Sequence, residues 1–321
     1  MRRIIGGLAL WLLALGPLAP AQAQPYPSRP IKLVVPFPPG GPADVMGRLI
    51  AQALSGSLGQ VIVDNRPGAG STLGAKSVAT ADPDGYTLLL GSASTLAIGP
   101  ALYGNAGYDP ITSFVPIVLV SDVPYVMVGA VNAAFRTVPE LIAFAKANPG
   151  TVTFGVPNGA PPHALALSFK AITGLDIIIV PYRGASTLIT DMIAGRIHAG
   201  FETTSVMFGH LHEGKVRGLA YIQDKRRPEI PDVPTIGEAG IPTLRGSSWT
   251  GIVAPAGTPP DIVAKVRAHT LDGLKSNEML ERLAKLGAEV RFPSREEFAA
   301  HIAAEHQRLG TLIRAAGVKP E

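Results

Sequence analysis

A short apolar run, a loop rich in proline and glycine, and an amphipathic helix follow one another at residues 31–54, and this unit recurs along the chain. It constrains the fold more than any other feature. Ile31-Lys32-Leu33-Val34-Val35 has the continuous apolarity of a buried strand. Residues 36–42 form the loop. Residues 44–54 read as a helix with Val45, Leu49 and Ala53 on one face, and Pro42 stands where a first-turn proline is tolerated. Further strands are expected at 61–63, 87–90, 151–156 and 176–179, a helix end with a short strand at 193–200, and helices at 69–79 and 164–172. Helix starts of the capping-box type, in which a hydroxyl and a carboxylate three residues on satisfy free amides reciprocally, occur at Thr137…Glu140, Thr235…Glu238 and Ser294…Glu297. Such alternation builds parallel sheets covered on both faces. Ligands of such sheets bind beyond the carboxyl ends of the strands, so the loops after strands are where function is sought. The 321 residues suffice for two α/β domains. With no long polar linker between them, the chain is expected to cross from lobe to lobe on strands.

The amino terminus reads as an export signal. Arg2 and Arg3 precede the apolar residues 4–15, and Ala21-Gln22-Ala23 has the A-x-A form of a cleavage site. Loss of Arg2 and Arg3 lowers the formal charge from +4 to +2, which removes the case for a polyanionic partner, and no basic stripe with interleaved aromatics argues for nucleic acid. Cysteine is absent, which excludes thiol catalysis, thiolate metal sites and a lipid-modified amino terminus.

Several loops carry candidate ligand contacts. In Pro36-Phe37-Pro38-Pro39-Gly40-Gly41-Pro42-Ala43-Asp44, two glycines expose amides just before a helix, which favours an anion through orphan donors and the helix dipole. Asp44 is placed to cap that helix and orient the loop; a plain strand-to-helix turn is the alternative. Asn158-Gly159-Ala160-Pro161-Pro162-His163 is a second loop of this kind, with His163 either a donor to ligand or a helix cap. Tyr182 and Arg183 beside Gly184 form a possible ligand wall. Ser92 and Thr95 offer hydroxyls, and Glu202 offers an acceptor for an amine or hydroxyl.

Enzyme signatures fail. The run 68–74 is GxGxxxG, one residue too long for a dinucleotide fingerprint. No phosphate-loop lysine pattern or GxSxG elbow is present. His210 and His212, and His301 and His306, lack the spacing that puts two imidazoles on one helix face. Ser92 or Thr95 with His163 is the remaining nucleophile–base combination of a hydrolase, and nothing in the sequence pairs them.

With these loops in view, the sequence resembles the extracytoplasmic receptors of tripartite tricarboxylate transporters, the Bug receptors. The resemblance runs from about residue 26 to 317. It is carried by Tyr26-Pro27-Ser28-Arg29-Pro30-Ile31, the loop from Pro36 to Asp44, Asp64-Asn65-Arg66-Pro67-Gly68-Ala69-Gly70, Asp82-Pro83-Asp84-Gly85-Tyr86, Val180-Pro181-Tyr182-Arg183-Gly184, Pro231-Asp232-Val233-Pro234-Thr235 and Ala254-Pro255-Ala256-Gly257-Thr258-Pro259. It implies an α/β, two-lobed periplasmic-binding-protein fold of the type II-like kind, with two doubly wound sheets and crossing hinge segments. The implied division is a leader at 1–23, lobe one at 24–124 and 231–321, and lobe two at 125–230. It further implies a periplasmic, monomeric solute-binding protein without catalytic residues, metal or cofactor. Such a protein would capture a small organic acid for the membrane subunits of a tripartite tricarboxylate-type transporter, or for a sensor kinase. Phe37, Pro39, Gly40, Gly41 and Ala43 carry over as one wall of the site, and Asn158, Gly159, Ala160 and His163 as the other. Ser92 and Thr95 would lie at the far end, with Tyr182, Arg183 and Glu202 nearby. The amides of Gly40, Gly41 and Gly159 are then expected to meet the ligand carboxylate. Two features depart from the family pattern: Pro161-Pro162 in the second loop, and Glu202 where a shorter aspartate is common.

Overall fold

The protein is described from a computed structural model covering residues 26–157 and 160–315. The leader expected at 1–23 and the loop residues Asn158 and Gly159 lie outside the described residues. Lobe one opens with β1 (Ile31–Val35), α1 (Pro42–Leu58), β2 (Val61–Asn65), α2 (Thr72–Ala79), β3 (Thr87–Ser92), a widened helical turn at Ser94–Ile98, and α3 (Gly99–Tyr103). The long β4 (Phe114–Ala130) crosses to lobe two. There α4 (Val138–Ala147), β5 (Thr153–Pro157), α5 (Pro161–Thr173), β6 (Ile178–Tyr182), α6 (Ala185–Ile193), β7 (Ala199–Thr203), α7 (Thr204–His212) and β8 (Val216–Tyr221) follow. The chain returns on β9 (Ser247–Pro255) and ends lobe one with α8 (Pro260–Leu274), α9 (Asn277–Lys285) and α10 (Arg295–Ala315).

The strands form one nine-stranded path, β2-β1-β3-β9-β4-β7-β5-β6, with β8 on the free edge of β4. β1 is parallel to β2 and β3, and β5 is parallel to β6 and β7. β4 and β9 run antiparallel to their neighbours, so each lobe has a mixed sheet. A chain that leaves and re-enters a lobe on adjacent strands must pair those strands in opposite directions, which the reading of wholly parallel sheets did not include. The second crossing is carried by β9. Residues 231–246 precede it, and their Val233, Ile236, Ile241 and Leu244 pack into the cores of lobe two. The boundary read at Pro231 therefore falls inside that lobe's packing.

Apolar side chains lie on both faces of the lobe-one sheet. Leu90, Val118 and Ile252 join α1 and α8 on one face; Leu119, Trp249 and Val253 join α10 on the other. The box at Ser294…Glu297 is reciprocal, at 3.1 and 2.7 Å, and starts α10. That at Thr235…Glu238 is equally well made, at 2.7 and 3.1 Å, yet starts only a turn that ends at Gly240 with φ +90°. At Thr137 the hydroxyl takes the Glu140 amide, while the Glu140 carboxylate accepts from the Arg136 amide instead of its own cap.

Gly251 shows how tightly β9 is held. A Cβ there would lie 2.7 Å from the Val118 carbonyl oxygen and 2.4 Å from the Phe298 ring. Gly251→Ala is expected to lower unfolding stability by about 1–3 kcal/mol, read as a shifted urea midpoint with unchanged slope.

Candidate ligand-binding cleft

The parallel strands β1 and β3 of lobe one, and β5, β6 and β7 of lobe two, point their carboxyl ends at the gap between the lobes. The loops after them form its walls. Across this gap Ala160, His163, Ala164 and Leu167 at the start of α5 meet Ile98, Leu102 and Ile313 of lobe one in an apolar seam.

The loop after β1 is organised by Asp44, whose side chain is buried. Its carboxylate accepts hydrogen bonds from the Gly40 amide, Arg48 Nε and Asn65 Nδ2, each at 2.9 Å. Asn65 Nδ2 also donates to the Phe37 carbonyl at 3.2 Å, so the end of β2 is tied to the same loop. These bonds, the one from Arg48 foremost, hold the Asp44 pKa down at about 2. Gly40 has φ +82°, a left-handed conformation that suits glycine, and its amide is directed inward to Asp44. The amides of Gly41, Ala43 and Asp44 have no hydrogen-bond partner among the described residues. Phe37 is half-buried against the lobe-one core, while Pro39 and Gly40 are exposed.

At the end of β3, Ser92, Thr95 and Ser71 make a chain of hydroxyls. Ser71 Oγ donates to Thr95 Oγ1 at 3.2 Å, and Ser92 Oγ lies 3.0 Å from the same oxygen. Thr95 is fully buried and Ser92 is partly open, so Thr95 positions Ser92. Ser71 was not singled out from sequence. Its φ of +77°, unusual for a residue other than glycine, marks it only once the backbone is known. Asn65 was legible only as part of the Asp-Asn-Arg-Pro-Gly block.

In lobe two, Pro161 and Pro162 occupy the first helical positions of α5 and supply no amide hydrogen there. The His163 amide donates to the Ala160 carbonyl at 2.9 Å, and burial pushes the His163 imidazole pKa down. Tyr182 and Glu202 both lie within strands, and not in the loops after them. The Tyr182 hydroxyl donates to Asp191 Oδ2 at 2.9 Å, and burial is the main cause that raises its pKa to about 12. Arg183 is exposed. Glu202 is 6% exposed and accepts the Thr203 amide at 2.8 Å; burial, the dominant cause, raises its pKa.

Residues 46–318 match the model of the tripartite tricarboxylate transporter family receptor. The chain belongs to that family. BugT of Bordetella pertussis is 37% identical over 322 residues, covering 99% of each chain. An R. palustris protein solved with adipate is 34% identical with a TM-score of 0.77, covering 92% of this chain and all of that one. MatC from Rhodopseudomonas palustris, solved with bound malate, is 31% identical with a TM-score of 0.75, covering 90% of this chain and all of its own. The receptor fold expected from the sequence is therefore present: two α/β lobes with crossing strands between them.

Two carboxylates of this receptor should respond oppositely to pH. Asp44 has a lowered pKa, so its stabilising bonds are present above the ordinary value of 3.8 and lost as pH falls through about 2. Asp44→Ala should be less stable than wild type at pH 7, the gap closing toward pH 2. Glu202 has a raised pKa, so its ionisation opposes folding as pH rises above the ordinary value of 4.5. Glu202→Gln should raise the thermal midpoint at pH 8 and change it little at pH 4. Melting curves across pH test both signs.

Proposed function

We propose that this receptor binds a small organic acid by one carboxylate, docked on the amides of Gly41, Ala43 and Asp44 at the start of α1, and delivers it to the membrane subunits of a tripartite tricarboxylate-type transporter. The observation that carries this reading is the Asp44 hydrogen-bond set, which turns the Gly40 amide inward and leaves the next free amides facing outward at the positive end of a 17-residue helix. The adipate- and malate-bound relatives support a carboxylate as the shared feature of the ligand. The two prolines that begin α5 lack amide hydrogens, which favours the first loop over the second for an anion. The protein acts in the periplasm after removal of the leader ending at Ala23. Closure of the two lobes follows from a ligand that contacts both and so has higher affinity for the closed form.

Thermal unfolding against organic acids and their amides tests the reading. An acid at a hundredfold excess over its dissociation constant should add about 2.7 kcal/mol of stability, and the matched amide should add none. Equal shifts with acid and amide, or a shift with amides alone, would remove the carboxylate from the amides of the first loop.

A further inference from the structure

Between Asp122 and Val126 the crossing strand β4 passes from the packing of one lobe to that of the other. At Asp122 its backbone is held by lobe one. The Glu289 amide donates to the Asp122 carbonyl at 2.8 Å, and the Glu289 carbonyl accepts the Asp122 amide at 3.0 Å. Glu289 stands between Ala288, a residue of the lobe-one core, and Val290, which packs against that core. At Val126 the strand is paired with Tyr221 of β8, and Tyr221 is fixed in lobe two. Its amide donates to the Pro234 carbonyl and its carbonyl accepts the Ile236 amide, both at 2.7 Å. The stretch of β4 between these two anchors spans about 13 Å. Lobe rotation is absorbed by φ/ψ changes in a few residues of such a stretch.

Side chains bridge it. The Tyr221 hydroxyl donates to Glu289 Oε1 at 2.6 Å, and Arg227 Nη1 lies 3.6 Å from the same oxygen. Arg227 is itself secured to lobe two. Its Nε and Nη2 donate to the Glu229 carboxylate, each at 3.1 Å, and its guanidinium lies over the Phe208 ring of α7, 4.9 Å from the centroid. Its Nη1 is buried and has no hydrogen-bond partner among the described residues, so the charge there is met by Glu289 across the lobe boundary. The other ion pairs among the described residues stay within one lobe. Arg291 steadies the Glu289 carboxylate from the lobe-one side at 3.2 Å. Beside this link lies a cavity of about 610 Å³, lined by Tyr221 and residues 223–229 of lobe two and by Glu289 and Arg291 of lobe one. The lobes are joined here by a few polar atoms next to open space, so the contact can break and re-form as they move.

We propose that Glu289, Tyr221 and Arg227 form a latch across the hinge that weights the balance of open and closed forms toward the closed one. The form described has the latch made and the start of α5 against Ile98 and Leu102 across the gap. The two contacts lie on opposite faces of the lobe-two sheet, since Leu165 of α5 packs with Tyr125 and Met127 of β4, while Met207 and Phe208 of α7 pack with Val126 and Val128. Together they hold the lobes in one relative orientation. Breaking the latch leaves a buried guanidinium nitrogen without its counter-charge, which is the costly way to lose such a pair. Apparent affinity scales with the fraction of receptor in its binding-competent form. Three residues that are not among the candidate ligand contacts thus help to set the affinity for every ligand alike. The inference rests on closure of the lobes, and not on where a carboxylate docks.

The chain has no cysteine, so spin labels can be placed at will. Leu73→Cys in the first turn of α2 and Ser186→Cys in the first turn of α6 are both exposed and put one label on each lobe. Double electron–electron resonance on the unliganded receptor then reads the lobe separation. Tyr221→Phe, which deletes a single oxygen atom, and Glu289→Ala should each enrich separations longer than the main peak of the labelled parent, Glu289→Ala by about tenfold. The double variant should gain nothing beyond Glu289→Ala, because Tyr221 acts through the same carboxylate. Arg226→Ala, which loses an ion pair inside lobe two, should keep the parent distribution. The latch is overturned if Tyr221→Phe and Glu289→Ala keep the parent distribution, if they favour shorter separations, or if Arg226→Ala moves it as far as they do. Additive effects of the two substitutions would likewise overturn it as a joint device. No ligand enters the measurement, so its result stands apart from whether an acid or its amide shifts the melting curve.

Discussion

The antiparallel pairing of β4 with β9 is the constraint on which the rest of the molecule depends. These two strands are the only pair that runs continuously from one lobe's core toward the other among the described residues. Their apolar side chains belong to the cores of lobe one up to Val120 and Trp249, and Tyr125 and Met127 of β4 belong to a core of lobe two. At this level the pair also carries Ser121, Asp122, Ser248 and Thr250, a change in character from the apolar residues on either side. The free edge of β4 is covered at this level by Glu289, whose backbone exchanges hydrogen bonds with Asp122 at 2.8 and 3.0 Å. The Glu289 side chain accepts from the Tyr221 hydroxyl at 2.6 Å and lies 3.6 Å from Arg227 Nη1, which links lobe one to lobe two behind the crossing strands. At the opposite side, the start of α5 rests against α3 and α10. The lobes are thus held at both sides of a two-strand hinge, and the loops that carry the candidate ligand contacts lie between these supports.

The first loop shows how a buried carboxylate can sit at a helix start with its charge taken up by nearby donors. Asp44 is negatively charged at any physiological pH and lies at the positive end of α1. Its charge is taken up by three donors, one of them the Arg48 guanidinium at 2.9 Å. The carboxylate therefore acts as the fixed point of the loop, and the amides beyond it keep their donors. The second loop is built the other way. Proline at the first two positions of α5 fixes the chain and removes donors, leaving apolar contact with Ile98 and Leu102 as its part in the gap.

Much of this was legible in the sequence because local pattern and local structure agree. The run Ile31–Val35, the proline at the start of α1 and the reciprocal box at Ser294 each became the element their pattern implies. The sequence was less informative wherever a residue's partner is far along the chain. Asn65 reaches Asp44 and Phe37 only through the pairing of β2 with β1. Thr250 and Ser121 are separated by more than a hundred residues, and only the β4–β9 register sets them side by side. Tyr182 and Glu202 were read as loop residues because both strands run further than their apolar segments suggest. The polar ends of β6 and β7 are extended by pairing with β5 and β4. The return crossing was placed too early for a related reason. Residues 231–246 contain no long regular element, so no periodicity reveals that Ile236, Ile241 and Leu244 fill the core of lobe two.

Neutral donors suit a protein that must bind and then release. The groups proposed for the ligand carboxylate are backbone amides, which carry no net charge. A cationic side chain in the same place would be costly to desolvate whenever the lobes closed without ligand, and would need a counter-charge of its own. Free amides in a loop anchored by Asp44 need none. They can be covered or uncovered as the lobes move at lower cost than a buried ion. Because they are fixed before the ligand arrives, little ordering is required on binding. A ligand that contacts both lobes would favour the closed form by its higher affinity for it.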